Sequence, residues 1–165
     1  MKILINTPHV TIPAGVSSHY MGLKPYFSSD VIYCQYYTGS YIYRNIKVRL
    51  FRNALRYVSL MYDLIKFTVL LFYCRKPRVL LNPSFGITAM KRDAFYLKIA
   101  KHVGCKVAVF IHGWDKEYLK AVLKNPGKFK KIWNNSDTFF VLAKEFKEYL
   151  IQLGIESPIY LTTTK

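Results

Sequence analysis

The residues that carry the means for chemistry are few, and they sit where apolar runs end. His112 follows the run Lys106–Ile111 and is followed by Gly113. An imidazole placed there looks into a cleft and changes charge near neutrality. A turn histidine with a local hydrogen bond is the competing reading. Gly15 stands just ahead of Val16, Ser17, Ser18 and His19. A glycine before a helix start lets the backbone approach an anion, which the free N–H groups and the helix dipole favour. A plain loop-to-helix turn carries the same signature. His9 follows the first apolar run, and Asn82-Pro83-Ser84 closes the third. His9, Asn82 and Ser84 are candidates for ligand contact, although Asn-Pro and Ser also build turns without a ligand.

Other chemistries lack their residues. There is no G-x-G-x-x-G, so the nicotinamide and flavin fingerprint is absent, and no G-x-x-x-x-G-K-[ST] for nucleotide hydrolysis. No G-x-S-x-G elbow appears, and no Cys–His pairing is suggested by position. Cys34, Cys74 and Cys105 make no zinc spacing with the histidines and read as buried free thiols in a reducing compartment. Most of the nine carboxylates lie in helical stretches beside lysine, as in Lys116-Glu117, Lys144-Glu145 and Lys147-Glu148. Those are solvated helix faces. Asp115 is placed to cap a helix.

The elements that position these residues alternate. Lys2–Asn6 reads as a buried first strand, Val16–Tyr26 as a helix with Ser17 or Ser18 near its start, and Asp30–Gln35 as a second strand. Tyr36–Tyr43 is an ambiguous aromatic stretch. From Asn45 to Tyr73 the polar residues Asn45, Arg49, Arg52, Arg56, Ser59, Asp63 and Lys66 recur at helical spacing, and Pro77 stops the pattern. Strands at Arg78–Asn82, Lys106–Ile111, Thr138–Leu142 and Pro158–Thr162 alternate with helices at Ile87–His102, Lys116–Lys124, Lys128–Asn134 and Lys144–Leu153. This order predicts an α/β fold, a Rossmann-like doubly wound parallel sheet of about six strands with helices on both faces. In such a sheet ligands bind outside the carboxyl ends of the strands, where the candidate residues fall.

The 165 residues suit one domain. The opening Met1–Pro8 is too short for a signal peptide, which predicts a cytoplasmic protein. Tyr57–Cys74 has the length of a short membrane span, but Asp63 and Lys66 near its middle argue against one. The net charge of +16 calls for a polyanionic partner. Residues 44–78 hold nine Lys or Arg against Asp63 alone. This concentration favours an anionic membrane surface, with Arg49, Arg52 and Arg56 docking to it. A basic nucleic-acid-binding α/β module is the alternative. No DNA- or RNA-binding motif supports it, and the reading excludes nucleic acid as the partner.

In order and spacing the chain resembles the N-terminal domain of GT-B-fold glycosyltransferases, especially retaining glycosyltransferase family four. The resemblance rests on Met1–Asn6, on Pro13-Ala14-Gly15-Val16-Ser17-Ser18-His19, on Lys76–Asn82, on Val107–Gly113 and on Phe140–Ile155. The family's first glycine of its loop pair is Ala14 here. The resemblance implies an acceptor-side domain spanning residues 1–165, with the donor-binding C-terminal domain absent from the chain. It implies transfer of a sugar from a nucleotide-sugar co-substrate to a polysaccharide or lipid-linked acceptor, with no further cofactor or metal. Gly15, Val16, Ser17 and Gly113 would approach the donor, His112 would act on the transferred sugar, and His9, Asn82 and Ser84 would meet the acceptor. The domain alone is expected to be inactive or very weak. It would work in the cytoplasm, peripheral to the inner face of the cell membrane.

Overall fold

The computed structural model describes residues 1–9, 15–37 and 46–163. The loop Val10–Ala14, including the Pro13-Ala14 part of the resemblance, lies outside the described residues. So do most of the aromatic stretch after Tyr37, Asn45, and the last two residues.

Six short apolar runs form one all-parallel sheet in the order β2-β1-β3-β4-β5-β6. The strands are β1 (Ile3–Pro8), β2 (Val31–Tyr36), β3 (Arg78–Leu81), β4 (Val107–Ile111), β5 (Thr138–Val141) and β6 (Ile159–Leu161). The helices between them are α1 (Gly15–Leu23), α2 (Arg49–Tyr73), α3 (Ile87–His102), α4 (Lys116–Lys124), α5 (Gly127–Trp133) and α6 (Lys144–Gln152). This is the α/β, Rossmann-like doubly wound arrangement that the alternation predicts. Side chains alternate across a strand, and the two faces use that alternation differently. Leu4, Cys34, Val79, Leu81, Val107, Val109, Phe139 and Val141 pack beneath α2 to α6 in the main core. Ile5 turns to the other face, where Val16 and Tyr20 of α1 meet it. On that second face a ladder of Phe110, Phe140 and Tyr160 crosses β4, β5 and β6, with ring centroids 6.3 and 5.9 Å apart. Tyr160 at its end is exposed.

The register fixes where the strands end. Asn6 pairs with Leu81, Leu81 with Val109, and Ile111 with Val141. His9, Asn82 and His112 therefore share the carboxyl edge of the sheet. The ends of several elements differ from expectation. The first helix begins at Gly15, so Ser17 and Ser18 lie in its first turn and not at its cap, and Pro25 converts its end to a 3₁₀ turn, Lys24–Tyr26. Helix α2 is unbroken and ends at Tyr73 as expected, but it starts at Arg49, with residues 46–48 outside it. Arg75 and Lys76 turn the chain with φ of 54° and 58°. Gly104 and Gly154, at φ of 84° and 79°, make the turns after α3 and α6. Asp115 caps α4, accepting from the N–H groups of Glu117 and Tyr118 at 3.0 Å. All three cysteines are buried free thiols.

Candidate functional site at the carboxyl edge of the sheet

Asn82 is the centre of the edge. Its side chain is buried, and each of its polar atoms is engaged. The amide Nδ2 donates to the backbone carbonyl of Asn6 at 2.9 Å. That bond fixes the orientation of the amide, leaving Oδ1 as an acceptor. The Tyr20 hydroxyl donates to Oδ1 at 2.6 Å, and Nε2 of His112 lies 3.1 Å from it. Because Oδ1 only accepts, His112 must carry its proton on Nε2. Its Nδ1 then keeps a lone pair.

The imidazole stays neutral. Burial, aided by the neighbouring His19, lowers its pKa from an ordinary 6.5 to about 4. The His19 ring is 5.2 Å from that of His112, and Phe110 lies at 3.8 Å beneath it. Burial also lowers the pKa of His19. Both rings are therefore uncharged at neutral pH. His112 remains half-buried, with one side open to the edge. It can accept a hydrogen bond through Nδ1 from a hydroxyl brought to the edge.

Gly15 opens α1 beside this pair. A methyl group built on Gly15 would meet nothing within 4 Å, and Gly113 is equally open. Space therefore stands in front of both backbones. Val16 and Ser17 turn their side chains into the core, so only their main-chain groups can serve a ligand at the helix start. Ser84 is exposed on the loop after β3. His9 stacks on Tyr37, with centroids 4.5 Å apart, towards the β2 side of the edge. A small cleft of about 120 Å³ opens there between β1, β2 and α1, lined by Thr7, Ser17, Tyr20, Lys24, Tyr33 and Gln35. A larger groove of about 890 Å³ lies away from this edge, between α3 and the α4–α5 pair. Its lining is largely apolar with lysines such as Lys91, Lys98 and Lys131 and holds no His, Cys, Asp or Glu, so the carboxyl edge is the better candidate for chemistry.

The structure thus brings His112, Gly113 and Asn82 together and sets Gly15 at the start of α1, one turn before the His19 that faces His112. It gives Asn82 a different part from acceptor contact, because all its hydrogen-bonding atoms are spent inside the protein. Asn82 positions His112. Two members were missed by sequence reasoning. Tyr20 and His19 lie one turn along α1 from Gly15, and only the helix phase against the sheet aims them at His112. The signals for His19 were its place in the Gly15-Val16-Ser17-Ser18-His19 run and its spacing of four from Gly15, which puts two side chains on one helix face.

The expected docking arginines lie elsewhere. Arg49 and Arg56 are exposed and Arg52 is half-buried, all on the side of α2 that also carries buried Asp63. Among the described residues, no helix is long and apolar enough to cross a membrane, and no three His, Cys, Asp or Glu side chains converge as metal ligands.

No protein-family profile, curated protein or solved structure matches the chain.

Proposed function

We propose that the protein is the acceptor-side half of a glycosyltransferase. It would move a sugar from a nucleotide-sugar donor to a glycan or lipid-linked acceptor at an anionic membrane surface, on the cytoplasmic side. The observation that carries this reading is the neutral His112, held by Asn82 through Nε2 with Nδ1 left to accept. A sugar hydroxyl is a donor suited to that nitrogen. In the transfer, the bond from the anomeric carbon to the donor phosphate breaks and a bond to the acceptor oxygen forms. The nucleoside diphosphate leaves, and the acceptor hydroxyl gives up its proton. In this scheme His112 orients the transferred sugar. The open backbone at Gly15 and the positive end of the α1 dipole receive the departing diphosphate charge. Gly113 leaves room beside it. Ser84 and His9 flank the route of the acceptor. The donor-binding half would be supplied by a second domain. The fold supports the reading by gathering these residues at the edge where open parallel sheets bind ligands. The dense aromatics are less suited to stacking nucleic-acid bases, since Tyr36, Phe67, Phe85, Tyr96, Trp133 and Phe139 are buried in the core.

Membranes from cells expressing the protein together with a donor-binding second domain, supplied in turn with radiolabelled nucleotide sugars, test the reading. Label should enter the lipid or glycan extract with at least one sugar. The substitution His112→Ala should cut incorporation on the order of a hundredfold. No incorporation above control membranes with any sugar, or equal incorporation by the variant, overturns it.

A further inference from the structure

Helix α2 is apolar on two sides, for Phe67 and Leu71 pack in the main core while a second apolar strip faces outward. A helix laid on a sheet ordinarily buries its apolar side and shows its polar side to water. Here Asp63 and Lys66 of the polar row also turn towards the protein. Asp63 is 1% exposed and accepts from the Tyr37 N–H at 2.9 Å. Lys66, one turn on, donates to the carbonyl of Gln35. The opposite side holds Leu50, Met61, Ile65, Val69 and Phe72, which are 82, 56, 60, 59 and 65% exposed. At 100° per residue these five fall on one strip. Tyr57, Val58, Tyr62 and Tyr73 widen it and are also exposed.

The charge around the strip has one sign. Asp63 is the only acid from residue 44 to 78, and it points inward. Lys47 is exposed near one end of the helix, and Arg75, Lys76 and Arg78 near the other, while Arg49 and Arg56 are exposed on the side away from the strip. Lys2 adds an ammonium 5.1 Å from the centre of the Tyr73 ring. An apolar strip bordered only by cations matches acyl chains below anionic headgroups in both respects. From Leu50 to Tyr73 the strip runs about 35 Å at 1.5 Å per residue.

We infer that α2 lies in the plane of an anionic bilayer, with its outward strip among the upper acyl chains. The contact is made by Leu50, Met61, Ile65, Val69 and Phe72, and the arginine row stays on the far side of the helix. This rests on the membrane-surface part of the proposed function and not on sugar transfer. The bond from Tyr37 to Asp63 sets Asp63 level with the carboxyl end of β2. Residues 49–62 therefore stand past the sheet edge by about 20 Å. That is the edge where His112 lies, on the α1 side of the sheet and so across the sheet from α2.

The test is co-sedimentation of the full chain with phosphatidylcholine vesicles, with and without phosphatidylglycerol, at low and high salt. Binding is expected to the anionic vesicles, with a fraction surviving high salt. Met61→Ser with Ile65→Ser is expected to weaken binding about tenfold or more under both conditions. Phe72→Ser, at the other end of the strip, should act in the same direction. All three side chains are more than half exposed, and circular dichroism checks that the fold is kept. Failure to bind either vesicle overturns the inference, as does unchanged binding by the variants. A stable dimer in light scattering that the double substitution splits also overturns it, because a second copy then covers the strip. Vesicle binding without sugar incorporation removes the transferase reading alone. Incorporation without vesicle binding removes this inference alone.

Discussion

A proton on His112 has to be taken up in a place that disfavours charge. Burial and the facing His19 hold the imidazole pKa at about 4, against an ordinary 6.5. Between those values the unfolded chain binds a proton that the native one refuses. Stability is therefore complete above pH 6.5 and is lost as the pH falls towards 4. His19 shifts in the same direction and adds to the slope. Urea unfolding followed across this window should show a loss of about 1–3 kcal/mol after allowance for the part of the ring that meets solvent. His112→Gln should flatten the slope, because it keeps an N–H for Asn82 and does not titrate. A slope unchanged by the substitution would assign the effect elsewhere. The positions of His112, Gly113 and Gly15 were legible because strand ends and helix starts are marked by residue type. The engagement of Asn82 was not, since nothing local says that Tyr20 and Asn6 will take its side chain.

At the scale of elements, helix existence was legible and helix facing was not. The polar row of α2 has helical spacing in the sequence, but spacing alone does not say which side meets the sheet. Asp63 decides it by accepting the N–H of Tyr37 as the chain leaves β2. The end of α2 at Tyr73 was legible, but its start falls at Arg49, later than Asn45. Pro77 lies beyond the end, and the turn is made by Arg75 and Lys76, both in the left-handed region. A side chain there costs about 1–2 kcal/mol relative to glycine, and glycine's added freedom in the unfolded chain returns about 0.5–1. Lys76→Gly should therefore stabilise the protein by about 0.5–1 kcal/mol, read as a higher midpoint in urea. A lower midpoint would mean that the lysine side chain contributes more than its backbone costs. The strand alternation was legible to within a residue or two, because continuous apolar runs survive burial on both faces.

For the whole molecule, +16 on a chain of this size is a self-repulsion that folding must overcome. Few acids offset it locally. Lys101 and Lys106 share Asp137, at 2.9 and 3.3 Å, and Lys130 meets Glu156 at 2.8 Å. Raising salt from a few millimolar to physiological strength should thus raise the melting temperature, as screening reaches charges about 8–10 Å apart. A fall would show that ion pairs outweigh repulsion. The parallel sheet with helices on both faces was legible from strand–helix alternation, since parallel crossovers admit few topologies, while its strand order was not read. The unequal covering of the two faces was not legible. The same Asn82 that steadies His112 has a consequence for how the protein is made. Its partners lie 62, 76 and 30 residues away in the chain. No local segment can form any of those bonds. During synthesis, β1, α1 and β3 emerge first, and the cluster stays incomplete until β4 has followed them and His112 can dock. A nascent chain halted before residue 112 holds a half-built sheet with one acceptor position on Asn82 unfilled. The maturity of the site is thereby timed by the closing of the central strands.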